Sequence, residues 1–314
     1  MQRSEAKLPQ TPLTILQSHA ATMQHKVYLV SVFAAASNGG NMAPIVPDAL
    51  GMSDSDMQEV ARKYRHECGF VLPAPAGSGC DYALRFWVPN HEMEMCGHAT
   101  VGAVWLLHQL GKLSKCEVSI WTCNGAVKAH LAKHDTADAS VKISQPKGQV
   151  EPLASSAIAS IISVLRVSPN DLAAHPVQNA CTSRVKTLVP LKSATILNSL
   201  EPDFERIEQL CEDIGSTGLY PYAHVDKNCQ IFEARQFPKS SGYPEDAATG
   251  IAAAALSFGL LTNGLVQPTS KTITVRQGQA MQKPSEIVIM LMPDGNGSAN
   301  GCWLGGHVAF QKET

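Results

Sequence analysis

The chain has 314 residues, more than one compact core usually holds, so two domains are expected. Hydrophobic residues make up 44% and charged residues 17%, which reads as globular and excludes a disordered chain; the net charge of −2, without a long basic run, argues against a nucleic-acid partner. No apolar stretch reaches about 18 residues, so no membrane span is expected, and nine cysteines at irregular spacings without a CxxC pair read as reduced thiols of a cytoplasmic protein.

Residues 1–24 read as an N-terminal extension, without the basic start and apolar core of a secretory signal. "KVYLVSVF" is β-branched and aromatic and predicts a strand over residues 26–33. Asn38, Gly39, Gly40 and Asn41 form a turn, after which Ala43–Val46 resumes a strand. "SDSDMQEVARKYRHE" predicts a helix with Ser53 and Asp54 as cap candidates. "CGFVLPA" and "YALRFWVP" read as strands. "EMEMCGHATVGAVWLL" is then a polar turn opening an apolar helix. "KCEVSIWTCNGAVKAHLAKHD" and "ASVKISQP" continue as strands, so the first half is mostly β with two helices.

The second half repeats the plan. "SSAIASIISVLRV" predicts a helix with a serine cap, "VKTLVPLKS" a strand and "EPDFERIEQLCEDIG" a helix. "GLYPYAHVD" and "QIFEARQFP" read as strands, followed by "SSGYPEDAATGIAAAALSFGLL", a turn opening a small-residue helix. "KTITVRQG", "SEIVIMLM" and "CWLGGHVAFQ" close the chain as strands.

Two segments follow one scheme. "RFWVPNHEMEMCGHATVGAVWLL" and "ARQFPKSSGYPEDAATGIAAAAL" each run strand, proline, acidic turn, glycine, helix. Self-similarity half a chain apart suggests two related lobes. If the lobes face each other, two helix N-termini point into one cleft, where unpaired N–H groups and the helix dipoles attract a carboxylate.

The motifs "VFAAASNGGNMAPIV", "HECGFV", "LRFWVPNHEMEMCGHATVGA", "EARQFPKSSGYPEDAATGIAAAAL", "VRQGQAMQKPSEIVI" and "LGGHV" together resemble the PhzF-like family, the phenazine-biosynthesis-type isomerases with the diaminopimelate epimerase fold. The resemblance covers nearly the whole chain from about residue 26. It implies an α+β fold of two similar lobes, each a mostly antiparallel curved sheet or barrel wrapped around a central helix. The expected lobes are 25–145 and 146–314, with the last strand crossing back to the first lobe. It also implies a homodimer, no cofactor, and a small carboxylated metabolite as substrate.

Carried over residue by residue, the family's acid/base glutamate matches Glu67, and its two glycine turns match Gly97 with His98 and Asp246 with Gly250 and Ile251. Glu67, His98 and Asp246 are the expected catalytic groups, and Asn41, Gly97, Gly250 and Ile251 the substrate-binding ones. Arg85 and Arg235 are weaker candidates for lining the cleft. Moving a proton between carbons needs a base at one carbon and an acid at the other, and a desolvated carboxyl can serve both. Backbone donors at Gly97 and Gly250 would each stabilise enolate charge by about 3 kcal/mol, as in oxyanion holes. Each residue also has a plain structural reading: a solvated helix end for Glu67, a bond to its own turn for His98, a helix cap for Asp246.

Epimerase and proline-racemase relatives place one thiolate before each glycine turn. Here Cys96 fills the first place and Thr249 the second, so the symmetric two-thiol mechanism is not available. A Cys96–Glu67 pair acting as a racemase stays open, as does a non-catalytic small-acid binder. Met42 replaces the family's proline after "GN", and Ile251 its serine, both near the expected cleft. His91, Cys96 and His98 match no common zinc spacing, so no metal is expected, and no phosphate loop or GxSxG motif is present.

Overall fold

In the strand Ser285–Pro293, buried and half-buried residues alternate along nearly its whole length. This is the period of a sheet with one covered face. Two helices show the opposite pattern. Gly97–Gln109 is buried without interruption from Gly97 to Leu107, and Gly250–Thr262 from Gly250 to Leu260. A helix apolar all round is the axis of a core.

The computed structural model describes residues 25–132, 140–226, 229–269 and 271–311. The expected extension at 1–24 and the end of one predicted strand at 133–135 lie outside them. In chain order the first lobe carries β1 (Tyr28–Val32), β2 (Asn41–Val46), α1 (Asp54–Tyr64), β3 (Cys68–Pro73), β4 (Tyr82–Trp87), β5 (Glu92–Met93), α2 (Gly97–Gln109), β6 (Glu117–Thr122), β7 (Gly125–Ala132) and β8 (Ser140–Pro146). There follow β9 (Gln149–Pro152), α3 (Ser155–Leu165), β10 (Gln178–Cys181), β11 (Val185–Leu191), α4 (Ala194–Asn198), α5 (Phe204–Asp213), β12 (Gly218–Asp226), β13 (Ile231–Ala234), β14 (Phe237–Pro238), α6 (Gly250–Thr262), β15 (Ile273–Gln277), β16 (Ser285–Pro293), β17 (Ala299–Gly306) and β18 (Val308–Phe310). α2 packs inside β1–β3, β7 and β8, and α6 inside β9–β11, β16 and β17. The result is an α+β fold of two similar lobes, each a curved sheet around one helix.

The lobes share their sheet. Ile143 of β8 pairs with Ala129 of β7 on one side and with Leu304 of β17 on the other. β18 lies antiparallel to β1, with Phe310 opposite Val30. Between them, the Phe33 N–H donates to the His307 carbonyl at 2.7 Å, and the Glu286 N–H to the Phe33 carbonyl at 2.8 Å. Leu304 thereby sits between the two core helices: a methyl group added at Gly250 would stand 2.9 Å from it, and one at Gly97 3.9 Å.

Local signals explain most boundaries. Ser53 caps α1 and Asp56 bonds back to the Ser53 backbone, a reciprocal capping box. The serine cap expected for α3 is absent: Ala154 is the N-cap, and Ser155 lies inside the first turn. The short elements β9, β10 and α4 were not expected, because four or five residues are too few to show a period.

Candidate active site at two facing helix mouths

Cys96 is the N-cap of α2 and Thr249 the N-cap of α6, both in extended backbone and neither capping its helix with its own side chain. The first N–H groups of both helices therefore lack intrahelical acceptors. The mouths are close. A methyl group added at Gly97 would lie 3.4 Å from Cγ2 and 3.8 Å from the backbone nitrogen of Ile251. Added at Gly250, it would meet Phe33 at 3.2 Å as well as Leu304. Glycine at these positions lets the backbones approach. A cavity of about 220 Å³ opens beside them, lined by Glu67, Cys96, His98, Asp246, Gly97 and Ile251 among others. That is below the drug-sized range and suits a small metabolite.

Glu67 lies between α1 and β3, where Arg65 turns the chain with φ 55°. The Cys96 thiol donates to Glu67 Oε2 at 3.0 Å and the Tyr243 hydroxyl to Oε1 at 3.1 Å. His98 Nδ1 stands 3.6 Å from Oε2 and 3.4 Å from the Cys96 sulfur. Burial pushes the Glu67 carboxyl up, but His98, the two donors and Arg184 outweigh it and hold the group below its ordinary value. Burial also pushes His98 below its ordinary value, against the Glu67 charge, which draws it up. Burial and the Glu67 charge push the Cys96 thiol well up, so at neutral pH it is a proton donor and not a thiolate.

Asp246 belongs to the other lobe and bonds into both. Its Oδ1 accepts from Asn41 Nδ2 at 2.7 Å, and its Oδ2 accepts from the Thr249 hydroxyl. Asn41 also donates to the Ala248 carbonyl at 3.0 Å, tying the start of β2 to the α6 turn. Gln277 of β15 donates to the Asp246 carbonyl at 2.7 Å and accepts from the Thr249 N–H at 3.3 Å. Burial, then the nearby Glu67 charge, push the Asp246 carboxyl up to about 7. Burial acts upward on both carboxyls; at Asp246 it prevails, and at Glu67 the neighbouring groups outweigh it. Glu67 has the His98 imidazole and the Arg184 guanidinium beside it, while Asp246 faces the Glu67 charge.

Of the residues expected at the site, Glu67, Cys96, Gly97, His98, Asp246, Thr249, Gly250 and Ile251 line this cavity. Asn41 lines the neighbouring one, which shares Glu67, Tyr243 and Asp246. Arg85 and Arg235 do not line either. Arg85 forms a two-pronged pair with Glu92, at 2.6 and 2.7 Å. Arg235 does the same with Glu245, at 2.8 and 2.7 Å. Each glutamate lies four residues before a helix cap, Cys96 or Thr249, so each lobe pins its acidic turn to its strand in one manner. Sequence reasoning missed Tyr243, Gln277, Lys186, Arg184 and Gln236. Tyr243 stood inside a quoted motif, and Lys186 was the polar residue of an apolar strand; neither signal was enough alone. Glu67, Cys96 and His98 bring an oxygen, a sulfur and a nitrogen within 4.8 Å of one another, a set that could chelate a thiophilic ion once the thiol loses its proton.

Comparison with known proteins gives a consistent result. The family model described as phenazine biosynthesis-like protein matches residues 30–307. An uncharacterized isomerase of Escherichia coli K12 is 28% identical over 272 residues, spanning 85% of this chain and 90% of that protein. An uncharacterized isomerase of Deinococcus radiodurans is 29% identical over 291 residues, spanning 90% of this chain and 92% of the relative. The crystal structure of a PhzF-family phenazine biosynthesis protein from Bacillus anthracis superposes with a TM-score of 0.80 at 25% identity, covering 92% of this chain and 97% of that one.

Proposed function

Since the chain belongs to the phenazine biosynthesis-like family, and curated relatives from Escherichia coli and Deinococcus radiodurans are named isomerases, we propose that it is an isomerase that moves a proton within a small carboxylated metabolite by general acid/base catalysis in the cleft between its lobes. The observation that carries this reading is that two carboxyls, Glu67 and Asp246, line one cavity at the mouths of α2 and α6, each held by its own hydrogen bonds, with their surroundings acting on them in opposite directions. Two titratable groups driven apart by their surroundings are the signature of an assigned acid and base.

In this reading the substrate carboxylate rests against the N–H groups of Gly97, His98, Gly250 and Ile251. There two helix dipoles add, and enolate charge is stabilised as it forms. Glu67, ionised, takes the proton from one carbon and returns it to another. Tyr243 and Cys96 fix the carboxylate plane by donating to separate oxygens. Asp246, its carboxyl pushed up by burial and by the Glu67 charge, holds a second proton beside the site more readily than an ordinary carboxylate. His98 packs against both groups and supports their orientation.

The test is Glu67→Gln. With a panel of small unsaturated acids in deuterated water, the wild type should wash deuterium into at least one of them, and the folded variant into none. Exchange retained by Glu67→Gln overturns the assignment. The racemase alternative needs Cys96 as a thiolate base, and the protonated, donating thiol weighs against it. Cys96→Ser separates the two readings, because a thiolate mechanism would lose all exchange and a glutamate mechanism only part.

A further inference from the structure

The lining of the cavity also carries groups that the proton shuttle leaves idle. Lys186 on β11 is 4% exposed and lines the cavity. Its ammonium donates to the Thr217 carbonyl at 3.5 Å, and it belongs to none of the ion pairs among the described residues. Burial and Arg184 push Lys186 down to about 8, while Asp246 and Glu67 hold it up, so it remains mostly charged at pH 7. Arg184, in the turn before β11, lines the same cavity and likewise joins no ion pair among the described residues. Gln236, between β13 and β14, is 1% exposed, and neither atom of its side-chain amide has a hydrogen-bond partner among the described residues. Lys239, also on the wall, is neutralised by Glu212 at 3.2 Å.

A buried ammonium with one long bond to a carbonyl, and a buried amide with no partner among the described residues, are costly unless something fills the site that satisfies them. Charge balance says what that is. Two cations and two helix N-termini, each equivalent to about half a positive charge, face one ionised Glu67 and a part-protonated Asp246. The excess is about one and a half positive charges, so the site favours an anion. A monocarboxylate at the helix mouths would leave Lys186, Arg184 and the Gln236 amide without an anionic partner.

We propose that the cavity is built for a dianionic acid, with one carboxylate at the mouths of α2 and α6 and a second carboxylate received by Lys186, Arg184 and Gln236. This rests on the proton-transfer reading for the first carboxylate and adds the substrate class. A dicarboxylate also fits the cavity volume of about 220 Å³, which leaves room for a short chain between the two groups.

The experiment uses a matched pair of probes, trans-3-hexenoate and trans-3-hexenedioate, which differ by one carboxylate. Binding is measured by calorimetry at pH 7 on wild type, Lys186→Met and Arg184→Gln. The diacid should bind wild type roughly tenfold tighter or better than the monoacid. Lys186→Met should cut that advantage to about threefold or less, with monoacid affinity within about threefold of wild type. Arg184, being half-exposed, can be replaced without threatening the fold, and Arg184→Gln should also reduce the advantage. Equal affinities in wild type, no binding of either probe at about 10 mM, or an advantage that survives both substitutions overturns the proposal. Calorimetry needs no turnover. Diacid preference retained by Glu67→Gln alongside absent deuterium exchange in wild type would sink the proton shuttle and leave the dianion site standing. Exchange without diacid preference would do the reverse.

Discussion

The Cys96 thiol donates to Glu67 Oε2 at 3.0 Å across a separation of 29 residues. The contact acts on both groups in the same sense as their surroundings: it helps to hold the Glu67 carboxyl down, beside His98, and adds to the burial that pushes the Cys96 thiol up. Tyr243 makes the matching contact from the other lobe, to the other oxygen.

Removing either donor should therefore make Glu67 a stronger base at the expense of its ionised population in acid. A hydrogen bond to a charged group contributes about 1.5–3 kcal/mol, and each pKa unit is worth about 1.4 kcal/mol. Cys96→Ala and Tyr243→Phe should each move the acid limb of the deuterium-exchange profile to higher pH by about one unit. An acid limb that stays in place in both variants contradicts the assignment of that limb to Glu67.

Asp246 gives a stability effect of defined sign. Its folded value of about 7 lies above the ordinary carboxylate range, so between about pH 4 and pH 7 the folded chain binds more protons at this group than the unfolded chain. Its contribution is then fully favourable below the unfolded pKa and is lost as pH rises through about 7, by an amount on the order of a few kcal/mol. Glu67 acts oppositely, because its folded value is lowered: its contribution is present above about pH 4.3 and is lost in acid. In urea titrations, Asp246→Asn should thus compare better with wild type at pH 8 than at pH 5. A difference between the two proteins that does not change with pH would refute the raised value.

The two glycines at the helix mouths should not respond alike to alanine. At Gly250 the new methyl group meets Leu304 at 2.9 Å and Phe33 at 3.2 Å, both fully buried, whereas at Gly97 its nearest neighbour is Ile251 Cγ2 at 3.4 Å. Overpacking costs about 1–3 kcal/mol, against which alanine recovers up to about 1 kcal/mol of helix propensity. Thermal unfolding should show Gly250→Ala destabilised by 1 kcal/mol or more, roughly, and Gly97→Ala near neutral. The reverse order would mean that the helix mouths are spaced differently.

The matched arginine clamps should differ in strength because their burial differs. Arg235 and Glu245 are 7% and 9% exposed, and Arg235 also donates to the Leu197 and Leu200 carbonyls. Arg85 and Glu92 are 26% and 28% exposed. Breaking a buried pair from one side costs about 3–5 kcal/mol, while an exposed pair contributes about 1 kcal/mol or less. Arg235→Met should be several-fold more costly than Arg85→Met in denaturant unfolding. Equal losses would show that the second clamp is not sealed from water.

What the sequence determined is what short-range physics can write into a chain. Short apolar runs such as "SEIVIMLM" read as strands, and the small-residue run "GIAAAALSFGLL" behind its polar turn reads as a helix. The repeated order of strand, proline, acidic turn, glycine and helix carried the two lobes, and the glycines marked the helix mouths. The tertiary structure alone decided the chemistry of those mouths. Tyr243 reaches Glu67 across 176 residues, and Asn41 reaches Asp246 across 205. Lys186 reads in sequence as a polar residue on an ordinary strand and becomes a buried cation only when β11 turns that face to the cavity. Which of two carboxyls keeps its proton at neutral pH is set by the donors and charges gathered around each one away from water. No local pattern records that, because the groups meet only when the sheet closes around both helices.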